Sequence, residues 1–302
     1  MKAMKAIDHN TITDVALDQM STTADPRLRR IMESLVRHLH DFAREVDLTP
    51  AEWIKGIEFL TAVGKKCTPA RQEFILLSDT LGMSSLVNAL HDRRALEAGT
   101  KTSLLGPFYR NDSPDRKLGD SITEDTRGKE IVLFGTVSNA AGEPIPNASV
   151  EIWQPDDEGV YDMQRDENRM DLRGRFHTDD KGMYYCRAVA PLGYMIPMDG
   201  PVGDMIRAQK RHGYRPAHIH FLVGAGGYRE VVTALYLASD DHIDSDTVFG
   251  VTDSLITEVR DNNPKCPVRG IPSIEFNFRL AAATTADMVG RVGADPKEIV
   301  KE

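Results

Sequence analysis

The sequence predicts an α+β chain, mainly β, with a helical domain over residues 1–105, a linker to about residue 128, and an antiparallel β-sandwich over 129–302. Three observations carry this. Helix-start signals recur within the first third. A two-residue apolar alternation begins near residue 129. No helical period lies between the alternating segments, which disfavours a parallel sheet.

Asp25-Pro26 reads as an N-cap followed by proline at the first helical position. Leu28, Ile31, Met32, Leu35, Val36, Leu39 and Phe42 then recur at three- and four-residue steps, one apolar face of a helix. Thr49-Pro50-Ala51-Glu52 is a capping box, with Trp53, Ile54, Ile57, Leu60 and Val63 as the face that follows. Thr68-Pro69 predicts a third helix carrying Phe74, Leu77 and Leu81, interrupted or ended by Gly82. TKTSLLGPFYRNDSPDRKLGDSI has little periodicity and reads as a long linker, a class that is usually functional.

Beyond it, KEIVLFGTVSNAAGEPIPNASVEIWQ predicts two strands joined by a turn around Gly142 and Pro144. FHTDDKGMYYCRAV repeats the pattern around Asp179-Asp180-Lys181-Gly182, AHIHFLVGAGGYREVVTALYLAS is another strand-turn-strand unit, and SIEFNFRLA is a last strand. The tail after Ala281 is polar and reads as peripheral.

The 302 residues carry 37 Lys and Arg against 46 Asp and Glu, a net charge of −9 without a dense basic stripe, so no nucleic-acid partner is expected. No apolar run approaches the roughly 20 residues of a bilayer span, so no membrane insertion is expected either. There is no signal-peptide pattern, and Cys67, Cys186 and Cys266 are scattered and odd in number, which points to the cytoplasm. The acidic stretch ASDDHIDSD (238–246) lacks the calcium-loop register and reads as a solvated loop.

RPAHIHFLV places His218 and His220 two apart in an apolar run. In a strand they share a face, and Ile219 and Phe221 point the other way. Two imidazoles there can hold one metal ion, or each can satisfy a core hydrogen bond. Two ligands are too few for a metal site, and no carboxylate stands out to complete a facial triad. Tyrosines beside glycine do stand out: Tyr161 in DEGVYDMQ and Tyr194 in APLGYMIP. A phenolate is a hard anionic donor suited to oxidised iron. Singly, each tyrosine is better read as a core or rim aromatic, and the case for a metal rests on the combination.

Together, GVY, PLGY and RPAHIH resemble, in order and spacing, the intradiol ring-cleaving dioxygenases. The likeness extends to GTVSNAAGEPIPNASVEIWQ, TDDKGMYYCRA and LLGPFY, and covers roughly residues 25 to 280. YMIPMDGPVGDMI, VYDMQ and DSDTVFGV resemble the hydroxyquinol-cleaving branch. One departure is Ala234, where catechol-cleaving members carry glutamine.

The resemblance implies an N-terminal helical domain that makes a homodimer, a phospholipid in an apolar tunnel at that interface, and a β-sandwich holding one Fe(III) per subunit on Tyr161, Tyr194, His218 and His220. The apolar helix faces fit such a tunnel and equally fit a dry helical core. The implied reaction cleaves a small aromatic diol or triol with O₂ between its vicinal hydroxyls. For hydroxyquinol (benzene-1,2,4-triol) this gives 3-hydroxy-cis,cis-muconate. Tyr194 is the implied proton acceptor. Arg215, beside the histidines, is placed to stabilise a developing oxyanion, or to make a structural salt bridge. Pocket candidates are Ile196 and Pro197 after Tyr194, Gly106, Pro107 and Phe108 of the linker, Leu76 and Asp79, and Val248. Asp79 could accept a hydrogen bond from a third ring hydroxyl, or lie exposed on its helix. Other readings remain: cleavage of catechol or a substituted catechol, a transthyretin-like binding module without iron, and a cupin-type metalloenzyme.

Overall fold

The computed structural model describes residues 7–68, 71–94, 99–124, 128–166 and 168–283. The chain forms two compact units, residues 1–61 and 62–302. In the first, α1 (Ile12–Gln19) lies against α2 (Pro26–Glu45), and most of α3 (Pro50–Lys66) follows. The caps are those the sequence announces. The Asp25 carboxylate accepts from Arg27 N at 2.7 Å, and Thr49 and Glu52 close a reciprocal pair, Glu52 N to Thr49 Oγ1 at 3.3 Å and Thr49 N to Glu52 Oε2 at 3.0 Å. Arg44 ties α2 to α1 through the His9 carbonyl and the Thr13 hydroxyl.

The apolar stripe of α2 is not buried. Leu28, Ile31, Leu35, Leu39 and Phe42 are 45–54% exposed, and Trp53, Ile54, Ile57 and Leu60 of α3 are 44–55% exposed.

The second unit begins with the end of α3, then α4 (Glu73–Thr80) and α5 (Met83–Arg94), separated at Gly82 as expected, where φ is 74°. The third helix begins later than Thr68-Pro69. Thr68 bridges to Arg71 and the helix starts at Glu73, while Pro69 lies outside the described residues.

The strands and short helices follow: β1 (Glu130–Asn139), β2 (Ser149–Trp153), α6 (Asp162–Arg165), β3 (Arg173–His177), β4 (Met183–Val189), β5 (Tyr194–Met195), α7 (Pro201–Ala208), β6 (Tyr214–Arg215), β7 (His218–Gly224), β8 (Val231–Leu237), β9 (Ile256–Thr257), β10 (Ser273–Glu275) and β11 (Phe278–Leu280). One sheet runs β3-β2-β7-β8-β9. A second has β1 at its centre beside β4, β10 and β11. The tight turns at Gly142 and Gly182 join β1 to β2 and β3 to β4, yet each pair divides between the two sheets. Only β7 and β8 form a predicted hairpin whose strands pair with each other. The long pairings are antiparallel, but β10 and β11 run parallel to β1, and β9 runs parallel to β8. The predicted last strand is thus two short ones.

The inward faces of both sheets share one core. Ile131, Leu133, Tyr184, Cys186 and Phe278 meet Val150, Ile152, Ile219, Phe221 and Leu235. The Phe221 ring lies 5.1 Å from that of Phe278 and 6.3 Å from that of Tyr184. With Ile219 and Phe221 committed to this core, the pleat turns His218 and His220 to the opposite face of β7.

Candidate metal and active site

The histidines on that face are held in fixed orientations. His218 is fully buried, and its Nδ1 lies 2.7 Å from the Pro216 carbonyl. That contact makes Nδ1 the N–H donor and leaves the Nε2 lone pair facing the site. His220 is clamped by Trp153, its partner across the β2–β7 ladder, with ring centroids 4.9 Å apart and planes within 2°. Ala234 sits opposite His220 on β8, so no long side chain competes for that space.

The two tyrosines arrive on separate loops. Tyr161 precedes α6, and its backbone N donates to Gln164 Oε1 at 2.9 Å. The next residue, Asp162, makes a doubly hydrogen-bonded ion pair with Arg173 at 2.7 and 2.6 Å, with both side chains 1% exposed. Phe108 stacks on the Tyr161 ring at 4.3 Å. Tyr194 lies on the two-residue strand β5, paired with Arg215 on β6. The glycine of GVY makes room for it: Gly159 has φ 78°, and a Cβ there would lie 2.6 Å from the Tyr194 Cβ.

These side chains converge. The Tyr161 hydroxyl is 3.3 Å from His218 Nε2. Ring centroids are 4.8 Å apart for His218 and His220, 5.5 Å for Tyr194 and His218, and 5.8 Å for Tyr161 and Tyr194. Arg215 Nη1 points into the same space, 3.5 Å from the Tyr194 hydroxyl and 3.1 Å from His218 Nε2. Gly106 of the linker, at φ 73°, brings backbone against the edge of His220; a Cβ there would be 3.5 Å from Nε2.

Burial governs the electrostatics. It pushes both histidines far below the ordinary imidazole range, reinforced by the Arg215 charge, so both are neutral and able to donate a lone pair. Burial also raises Tyr161 well above the ordinary phenol range, aided by the neighbouring Tyr194, and raises Tyr194, which Arg215 partly offsets. Only a strongly polarising cation would draw such phenols into their anionic form. Among the described residues, no cluster of three or more His, Cys, Asp or Glu could hold a metal. A cation here must therefore take phenolic oxygen as well as imidazole. That donor set suits a hard, trivalent ion.

Two family models match, one described as a dioxygenase over residues 104–282 and one as a catechol dioxygenase N terminus over residues 25–99. The chain belongs to the intradiol ring-cleaving dioxygenase family. It is 43% identical to the hydroxyquinol 1,2-dioxygenase of Corynebacterium glutamicum over 87% of each chain. It is 42% identical to the 6-chlorohydroxyquinol 1,2-dioxygenase of Cupriavidus pinatubonensis, over 92% of this chain and 99% of the relative. The crystal structure of a hydroxyquinol 1,2-dioxygenase from Pseudomonas putida superposes with a TM-score of 0.83 at 42% identity, covering 91% of this chain and 99% of the other. Intradiol dioxygenases depend on non-haem iron, and the histidine and tyrosine donors fit that requirement.

Of the other sequence candidates, Asp79 is 5% exposed on α4 and not on a solvated helix face. Burial raises its carboxyl above the ordinary range, opposed by a hydrogen bond from Ser84 and by the charge of Arg215. Val248 is buried on a loop tied to Asp246, and Leu76 and Ile196 are buried. Pro107 and Pro197 are half-buried, with no contact that fixes their direction. The solvated reading of 238–246 is corrected at two positions. Asp240 accepts from Ala217 N at 2.9 Å, and Asp246 is buried against Arg215. Trp153, Tyr236 and Asp246 also build the site, yet the sequence reading passed them over. Asp246 hid among surface-like acids, and Trp153 stood only as one residue of a predicted strand.

Proposed function

We propose that this dioxygenase cleaves hydroxyquinol between its vicinal hydroxyls, with Tyr161, Tyr194, His218 and His220 holding one ferric ion per subunit. The observation that carries the ligand set is the convergence of the Tyr161 hydroxyl on His218 Nε2 at 3.3 Å, while the other His218 nitrogen is taken by the Pro216 carbonyl. The identity to hydroxyquinol-cleaving relatives supports the substrate. Bound there, ferric iron supplies a chelation point for two vicinal ring oxygens and draws electron density so that a ring carbon meets O₂ as a nucleophile.

The chain's own groups do the rest. Tyr194, on a strand of only two residues, is the more weakly anchored of the two tyrosines; as the phenolate that a bound cation would stabilise, its Oη would accept one substrate hydroxyl proton and become the neutral phenol. Tyr161, stacked on Phe108 and followed by the Asp162–Arg173 pair, stays in place. Arg215 directs Nη1 at the oxygen that gains negative charge. Gly106, Pro107 and Phe108 form one wall of the ring pocket, and Ile196, Pro197, Leu76 and Val248 form the others. Asp79 accepts a hydrogen bond from the third hydroxyl. The product is 3-hydroxy-cis,cis-muconate, with both atoms of O₂ incorporated.

The domain division near residue 105 is supported by the separate family models over 25–99 and 104–282. The exposed apolar faces of α2 and α3 are large enough to need a cover. We assign them to a homodimer, with a phospholipid filling what the two faces leave open. Three free cysteines support a reducing, cytoplasmic setting, and no helix of the described residues is long and apolar enough to cross a membrane. The test is turnover of hydroxyquinol against catechol under ¹⁸O₂. Two labelled oxygens in a ring-opened product, with hydroxyquinol preferred by kcat/KM, is the expected result. Preference for catechol refutes the substrate, and no turnover of either by iron-loaded protein refutes the reaction.

A further inference from the structure

We propose that Asp246 is the positioning residue for Arg215, holding one edge of the guanidinium so that Nη1 alone faces the substrate space. The proposal rests on the reading of Arg215 given above. Asp246 Oδ1 accepts from Arg215 Nε at 3.2 Å and Oδ2 from Nη2 at 3.4 Å, a two-point grip that fixes the plane of the fork. Both side chains are buried, at 2% and 4% exposure.

The carboxylate is itself fixed. Val248 N donates to Oδ1 at 3.3 Å and Gly250 N to Oδ2 at 3.0 Å, so its acceptor sites are filled on both sides. The other Nη2 contact of Arg215 is Tyr236 Oη at 3.4 Å. Tyr236 Oη lies 2.8 Å from Ser103 Oγ, which donates to the Gly250 carbonyl at 3.0 Å. The loop 246–250 is pinned from outside as well, by Ser85 Oγ on the Val248 carbonyl at 3.1 Å and Arg211 Nη2 on the Thr247 carbonyl at 2.8 Å. Phe249 completes it at φ 57°, a conformation costly for an aromatic residue, with its ring against Gly82.

A buried ion pair is seldom more stable than an apolar pair of the same volume, so stability alone is a weak reason for this arrangement. Position is a better one. Without Asp246, Arg215 has a flexible stem and only single hydrogen bonds to Tyr236, Tyr194 and His218 to hold it. Because the same carboxylate grips the backbone of Val248, it also sets one pocket wall relative to the guanidinium.

The test is a double-mutant cycle on the iron-loaded enzyme with Asp246→Asn, Arg215→Lys and the pair, reading iron content, the resting visible spectrum, kcat and KM for hydroxyquinol. Asp246→Asn is expected to keep its iron and its spectrum, to change KM less than about threefold, and to lower kcat about 10- to 100-fold. The pair should be no more than about threefold slower than Arg215→Lys alone, since an unpositioned arginine has little left to lose. A wild-type kcat in Asp246→Asn, or losses that multiply in the pair, overturns the proposal. Full activity in Arg215→Lys instead overturns the role of Arg215. If Asp246→Asn does not fold or hold iron, Gly250→Ala takes its place, because a Cβ there would press on Tyr236 Oη and lie 3.2 Å from Arg215 Nη2. A lowered kcat with iron retained then supports the proposal. Unchanged kcat, or loss of iron in this variant too, overturns it.

Discussion

The Asp162–Arg173 pair should be the most sensitive ionic contact behind the proposed metal site, and its two halves should not cost the same. Both side chains are 1% exposed, and the carboxylate holds two guanidinium bonds at 2.7 and 2.6 Å. Breaking a buried pair costs roughly 3–5 kcal/mol because one charge is left without its partner. Arg173→Met leaves Asp162 with backbone donors, Met163 N at 2.8 Å and Asp171 N at 3.2 Å, which places it near the low end, about 3 kcal/mol. Asp162→Asn leaves a buried guanidinium whose Nη1 already has no hydrogen-bond partner, and a guanidinium cannot shed its proton. It belongs near the high end, about 5 kcal/mol. The assay is thermal denaturation of the metal-free protein, followed by Trp153 fluorescence in a Trp53→Phe background. At roughly 2–4 °C per kcal/mol for a unit of this size, the thermal midpoints should fall by about 10 °C and 15 °C respectively. Equal losses, or losses below about 1 kcal/mol, would refute the reasoning.

Asp79→Ala should lower the kcat/KM ratio of hydroxyquinol to catechol about 10- to 100-fold, measured by oxygen uptake; an equal loss on both substrates contradicts its contact with the third hydroxyl. Gly106→Val forces a left-handed backbone onto a β-branched residue and a side chain toward His220, so kcat/KM should fall at least tenfold while iron content holds; unchanged kinetics contradicts the linker wall. Of the three thiols, Cys67 should react with Ellman's reagent in the native protein. Cys186, whose thiol burial pushes far up, and Cys266 should stay protected until denaturant is added. Leu39→Glu, in the middle of the exposed stripe, should convert a dimer to a monomer in sedimentation velocity, and a wild-type sedimentation coefficient contradicts that interface.

Local patterns were legible wherever chemistry is local. The Asp25 and Thr49 caps follow from residues within three positions of each other, and both form. The alternation around His218 and His220 assigned their shared face correctly, because the pleat has a period of two whatever strand lies beside it. Pairing was less legible. The turns at Gly142 and Gly182 suggested hairpins, but partner choice in β1 to β4 is set by the core shared between sheets, a non-local matter. The helices α1 and α5 went unread. No residue of α1 is buried, and the apolar positions of α5 (Leu86, Val87, Leu90) are half-exposed, so neither presents a clean buried face. Asp246 shows the same limit at the site. Its neighbours 241–245 suit a solvated loop, and what buries its charge is an arginine 31 positions away.

The central claim is that two phenols and two imidazoles of this chain hold one ferric ion. The most direct measurement is the visible spectrum of the concentrated, iron-loaded protein beside its Tyr161→Phe variant, before and after anaerobic hydroxyquinol. The account predicts one iron per chain, a broad tyrosinate-to-iron band that shifts when hydroxyquinol is added, and a weaker, altered band in the variant. A protein that stays colourless with iron supplied, or a Tyr161→Phe variant with the wild-type band, would contradict it.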